Sequence, residues 1–109
     1  MKRYCLALDL INDQNLIGEY EEYHKNIWPE IKKSITDSGI LQMEIYRVSN
    51  RLFMIMETSD SFSFKLKNES DSSNPLVQKW EKLMWKYQQA IPGTIPGEKW
   101  RLMEKIFSI

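Results

Sequence analysis

The sequence is poor in the residues that staple or metallate a small fold. Cys5 is the one cysteine in 109 residues, so no internal disulfide can form and a hydrophobic core has to hold the fold. His24 is the one histidine, and a single imidazole among scattered carboxylates gives no metal-ligand pattern, so no metal site is expected. The four glycines are scattered and build no loop that could cradle a phosphate. Charge of either sign in excess is also missing: 15 Lys+Arg balance 15 Asp+Glu, which argues against nucleic acid as a partner. No apolar run approaches the roughly 20 residues of a membrane-crossing helix, so no membrane partner is expected. The opening MKRYCLALDL reaches Asp9 after a very short apolar run and does not read as a secretory signal. A soluble, cytoplasmic protein of one domain, residues 1–109, is the expectation.

What the chain does have is flat side chains: four tryptophans and five tyrosines, more half-polar ring surface than a core of this size usually takes up. They either fill the core or line a ligand.

Local patterning gives the elements. Tyr4, Leu6, Leu8 and Leu10 alternate with Arg3, Cys5, Ala7 and Asp9, so residues 3–10 read as a strand with one strongly apolar face. After Asn12, Asp13 and Asn15 the spacing becomes helical. Leu16, Ile17, Tyr20, Tyr23, His24, Ile27, Trp28, Ile31 and Ile35 project within an arc of about 140°. Pro29 cannot donate to the carbonyl four residues back, so two helical pieces should meet near Trp28, with Gly39 ending the second. Residues 41–48 and 52–58 read as an antiparallel hairpin turning at Ser49, Asn50 and Arg51. Residues 60–74 are polar and read as a loop with a short helix at its start, or as a mobile flap over a site. Asn74-Pro75 then caps a helix whose apolar face holds Leu76, Val77, Trp80, Leu83, Met84 and Tyr87, with Trp85 on the far side. A turn-rich segment, residues 91–98, precedes a last strand expected over Trp100–Phe107.

This order is the split βαβ pattern of a ferredoxin-like sandwich. It predicts an α+β fold with a four-stranded antiparallel sheet carrying helices on one face. The other face would carry apolar residues, Met and Phe among them, and a second copy of the chain is the expected cover.

His24 is the one side chain here whose ordinary pKa, near 6.5, lets it exchange a proton at neutral pH. A lone histidine on an apolar helix face is more often a packed ring. Here, however, Tyr20 stands one turn before it and Trp28 one turn after. Three polar-tipped rings in a row each need a partner when buried, whereas a pocket satisfies them with water or substrate. Trp80 reads as core or as a platform for a sugar face. Glu81 beside it and Glu44 in the second strand are either surface acids or acceptors for substrate hydroxyls.

The run Tyr20-x-x-x-His24-x-x-Ile27-Trp28-Pro29-Glu30, Gly39, RLFMIMET, QKWEKLM and the terminal EKIF together resemble the L-rhamnose mutarotase family over most of the chain. That resemblance implies a dimeric α/β barrel without metal or cofactor that interconverts the α and β anomers of a 6-deoxy-hexose. His24 inherits the role of proton donor and Tyr20 that of sugar binding. Two positions depart from the rhamnose pattern: Met43 stands where a tyrosine is usual, and Trp80 is followed by Glu81 where tryptophans are paired. Exchanging an indole for a carboxylate replaces a flat apolar wall with a hydroxyl acceptor. L-Fucose is therefore expected in preference to L-rhamnose, as in the family's L-fucose branch. The partner group for His24 stays open among Tyr20, Glu44, Glu81 and a water, with Trp28 and Trp80 as walls. Two other readings stand beside it: a haem-degrading or antibiotic-type monooxygenase of the same barrel type, and a non-catalytic dimeric interaction module.

Overall fold

The computed structural model describes residues 1–96 and 98–109. Strand β1 (Lys2–Leu10) leads into helices α1 (Gln14–Lys25) and α2 (Pro29–Asp37). The hairpin strands β2 (Ile40–Val48) and β3 (Arg51–Thr58) follow, then helices α3 (Phe64–Ser72) and α4 (Pro75–Met84). Two very short strands, β4 (Gln88–Gln89) and β5 (Arg101–Leu102), complete the sheet. All pairings are antiparallel, in the order β2-β3-β1-β4, with β5 also on β1. This is the expected α+β, ferredoxin-like arrangement.

Each boundary has a local cause. Asp13 caps α1 by accepting from the Asn15 and Leu16 amides at 2.9 and 3.1 Å. The helix stops at Lys25 because Pro29, four residues on, restarts the chain as the first residue of α2. Gly39 follows α2 with φ +95°, a conformation an L side chain resists. The hairpin turns on Ser49 and Asn50, with Ser49 at φ 52°, and Arg51 already belongs to β3. The Asn50 side-chain amide donates to the Leu10 carbonyl at 3.1 Å and ties this turn to the end of β1.

The β1–β3 register places Leu6 opposite Met54 and Leu8 opposite Leu52, and β2 adds Met43 and Ile45 to the same face. The helices pack there. Leu8 and Leu10 are fully buried, and truncating either to alanine would cost about 2–5 kcal/mol. On the opposite face lie Cys5, Ala7, Glu44, Tyr46, Phe53 and Ile55. Methionine was expected on that face together with phenylalanine, but Met54 and Met56 point into the helix-covered side, where the alternation of β3 puts every second residue.

The polar segment expected as a loop with a short helix at its start, or as a flap, forms the nine-residue helix α3, capped by Ser63. It is fastened down: the Lys67 ammonium pairs with Asp71 at 2.8 Å, and the Ser34 hydroxyl of α2 donates to the same carboxylate at 3.2 Å. The last strand is a larger correction. Instead of running from Trp100 to Phe107, only Arg101 and Leu102 pair, opposite Ala7 and Leu6. The Met103 amide still reaches the Cys5 carbonyl at 2.8 Å, and the chain then leaves the sheet. The edge of β1 near its end is taken by Gln88 and Gln89, which the sequence reading leaves unassigned between the helix and the turn-rich segment. The fourth strand position is thus shared by two short segments. Among the described residues, no helix is long and apolar enough to cross a membrane.

Candidate active site

On the helix-covered side the chain encloses a cavity of about 700 Å³, within the roughly 300–1,000 Å³ typical of small-molecule sites. Its floor is the sheet, through Leu6, Met43, Ile45, Met54 and Met56. Tyr20 and His24 of α1 form one wall, and Trp80, Glu81 and Trp85 of the α4 end form the opposite one. Phe64, Lys67 and Asp71 of α3 stand at the rim, while Gln88, Lys99 and Trp100 close it from the β1 edge. A larger hollow of about 870 Å³ on the outer side of α1, around Gln14, Glu19, Glu22 and Trp28, is an open groove away from His24.

Helical spacing stacks Tyr20 and His24 with ring centroids 4.3 Å apart, and His24 meets the Trp80 ring at 5.7 Å. The Nδ1 of His24 lies 2.8 Å from the Tyr20 carbonyl. A carbonyl only accepts, so Nδ1 carries the proton, and Nε2 is the nitrogen left for the cavity. Burial lowers the His24 pKa from its usual 6.5, opposed by that backbone hydrogen bond, so the ring is neutral at pH 7. Burial has the reverse effect on the Tyr20 phenol, pushing it up to about 12, with the Gln88 hydrogen bond opposing it. Tyr20 therefore keeps its proton and can donate but not act as a base at neutral pH.

Lys99 was not among the residues singled out from the sequence. Burial brings its ammonium down from 10.5 to about 8, with the Glu81 carboxylate pulling the other way, and its Nζ lies 5.1 Å from the centre of the Trp85 ring. It stays mostly charged at pH 7 yet gives up its proton far more readily than a surface lysine. Gln88 was missed as well. It is buried, and its Nε2 donates to the Tyr20 hydroxyl at 3.4 Å.

Of the residues named from the sequence, Tyr20, His24, Met43, Trp80 and Glu81 converge on the cavity. Trp28 does not. The break before Pro29 takes it out of the Tyr20–His24 row, and it packs behind Trp80 with ring centroids 5.0 Å apart. Glu44 is not there either, since strand alternation sends Met43 inward and Glu44 outward, where it accepts from the Tyr46 hydroxyl at 2.8 Å. Segment 60–74 does border the cavity, through α3. No group of three or more His, Cys, Asp or Glu able to hold a metal occurs among the described residues.

Comparison with known proteins identifies the family of the chain. The family model described as L-rhamnose mutarotase matches residues 3–109. An L-fucose mutarotase of Xanthomonas campestris pv. campestris is 41% identical over 111 residues, covering 100% of this chain and 89% of its own. An L-rhamnose mutarotase of Phocaeicola vulgatus is 35% identical over 80 residues, 72% of this chain and 73% of its own. Among solved structures, an L-rhamnose mutarotase of Formosa agariphila shares the fold with a TM-score of 0.73 at 24% identity, over 100% of this chain and 99% of that one. The chain belongs to the L-rhamnose mutarotase family.

Proposed function

We propose that this chain is a mutarotase that interconverts the α and β anomers of a 6-deoxy-hexose, with L-fucose preferred over L-rhamnose, by general acid–base catalysis without a cofactor. The observation that carries the reading is a neutral imidazole whose Nε2 faces a sugar-sized cavity shared with a lysine of lowered pKa. Ring opening needs a proton taken from the anomeric hydroxyl and one delivered to the ring oxygen, and closing on the other face reverses both transfers. His24 accepts the hydroxyl proton at Nε2 and returns it as imidazolium on closure. The family likeness gives His24 the role of proton donor; a ring that is neutral at pH 7 instead enters the cycle as acceptor and donates only on closure. The Lys99 ammonium supplies the proton to the ring oxygen and recovers it on closure. Trp80 offers its face to the apolar side of the sugar, Tyr20 and Glu81 bind hydroxyls, and Met43 packs under the ring.

L-Fucose is favoured because the identity to an L-fucose mutarotase extends over the whole chain and because Glu81 puts a carboxylate beside Trp80. The partner is a second copy of the chain. A homodimer is supported by the half-buried apolar residues Phe53 and Ile55 on the uncovered sheet face and by an exposed, apolar C-terminal tail.

NMR saturation transfer between anomers tests the reading. The wild type should accelerate exchange of L-fucose more than of L-rhamnose, and His24→Ala should lose about 10²–10³ of that acceleration. Equal rates with the two proteins would remove His24 from the chemistry.

A further inference from the structure

Among the described residues, one buried side-chain polar group has incomplete hydrogen bonding, and it belongs to a residue of the cavity wall. Gln88 is 5% exposed, and its Oε1 has no hydrogen-bond partner among the described residues. Its Nε2 reaches the Tyr20 hydroxyl at 3.4 Å. Turning the amide over would let Tyr20 donate to Oε1, but it would only exchange the orphan, leaving the NH₂ unpaired instead. In either orientation one polar atom of a side chain more than nine-tenths buried has no partner at the wall of a cavity.

Its placement is not accidental to the fold. Gln88 pairs opposite Leu10, so its side chain emerges on the face of β1 that carries Leu6, the cavity floor. An apolar residue of similar shape would fill that position without an unmet hydrogen bond, since buried polar groups are normally paired. A sugar hydroxyl, which donates and accepts, completes whichever atom is left over once the side chain turns toward the cavity it borders. It also joins a chain that runs from the sugar through Gln88 to Tyr20, and from Tyr20 to the ring it stacks on, His24.

We propose that the Gln88 side-chain amide binds a ring hydroxyl of the sugar and sets the enzyme's choice among 6-deoxy-hexoses, a role that rests on the mutarotase reading above. L-Fucose and L-rhamnose differ only in the configuration of the C2 and C4 hydroxyls. An amide fixed between Tyr20 and the cavity meets such a hydroxyl in one configuration and misses it in the other. 6-Deoxy-L-glucose differs from L-fucose at C4 alone and from L-rhamnose at C2 alone, so the three sugars together identify the hydroxyl.

The test replaces Gln88 by a residue of similar length without hydrogen-bonding groups. Gln88→Met should raise KM for L-fucose about tenfold, the worth of one hydrogen bond in a desolvated site, with kcat changed less than about threefold. The ratio of kcat/KM for L-fucose over L-rhamnose should fall by a similar factor. Thermal stability should change little, because the substitution removes the unpaired Oε1 and, with it, the hydrogen bond from Nε2 to the Tyr20 hydroxyl. A merely structural role gives the opposite pattern, with lower stability and unchanged selectivity, and overturns the proposal. A second measurement needs no variant: the assigned ¹⁵N side-chain amide resonances of Gln88 in the wild type should shift on saturation with L-fucose. If they stay in place in saturated protein, the proposal fails even if Gln88→Met does not fold. A wild type that accelerates no anomer exchange overturns the mutarotase reading itself. An active wild type with unchanged selectivity in Gln88→Met overturns the Gln88 assignment alone.

Discussion

At the scale of single residues, the cavity places two proton-handling groups in complementary states. Below its lowered pKa His24 is charged and cannot accept, so activity should rise with pH through a value under 6.5. Above about 8 Lys99 is neutral and cannot donate, so activity should fall there. The expected kcat/KM profile for L-fucose is a bell. In Lys99→Met the alkaline limb should disappear while the acid limb stays, with a loss of about 10² at the optimum. A wild-type profile flat through pH 8 to 9 would remove Lys99 from the proposed mechanism. The sequence disclosed the histidine and tyrosine of this site because they lie one turn apart on a continuous helix. It could also have excluded Glu44, since strand alternation that sends Met43 inward sends its neighbour outward. Lys99 and Gln88 were hidden for a different reason. Neither has a local pattern, and both reach the cavity only through pairing of the flanking residues with β1, a contact made across most of the chain.

At the scale of elements, punctuation residues were the most legible signals. Pro29 divides the first helical stretch where its missing amide demands it, and Asp13 and Asn74 cap the helices that follow them. Gly39 illustrates how tight one such position is. Its φ is +95°, and a Cβ built there would meet the Ser59 Oγ at 2.8 Å. Gly39→Ala should destabilise the protein by about 1–2 kcal/mol. A urea titration with an unchanged slope and a lower midpoint would register this. A midpoint equal to wild type would show that the backbone relaxes freely there. Elements whose ends depend on tertiary partners were less legible. Alternation in Trp100–Phe107 holds only for its first residues, and a strand also needs a neighbour, which within one chain ends after Met103. Conversely α3 has a polar sequence with little apolar face, and its order comes from the Ser63 cap and the Lys67–Asp71–Ser34 cluster rather than from burial.

At the scale of the whole molecule, two features remain uncovered. On the open face of the sheet Tyr46 and Val48 are largely exposed beside Phe53 and Ile55. In the tail Ile106 and Phe107 are 94% and 77% exposed. Exposed apolar residues beyond the end of a strand suit pairing with a second chain better than water. Removing residues 104–109 should therefore shift the protein from dimer toward monomer in sedimentation velocity, while its far-ultraviolet circular dichroism keeps the wild-type shape. A truncated protein that sediments like the full chain would place the interface on the sheet face alone. If the full chain sediments as a monomer, the dimer proposal falls.

The divided edge strand has a consequence for how such a protein can change over time. Gln89 sits opposite Asp9 and Arg101 opposite Ala7, so the segment that brings Lys99 to the cavity departs from and rejoins the sheet at nearly the same place. Its length and composition are thereby decoupled from the sheet it serves, and lengthening it is inexpensive, about 0.6 kcal/mol for each doubling of a flexible loop. Segments exchanged at those two anchor points between relatives would act as interchangeable cassettes, carrying a new proton donor or a new sugar preference onto an unaltered frame.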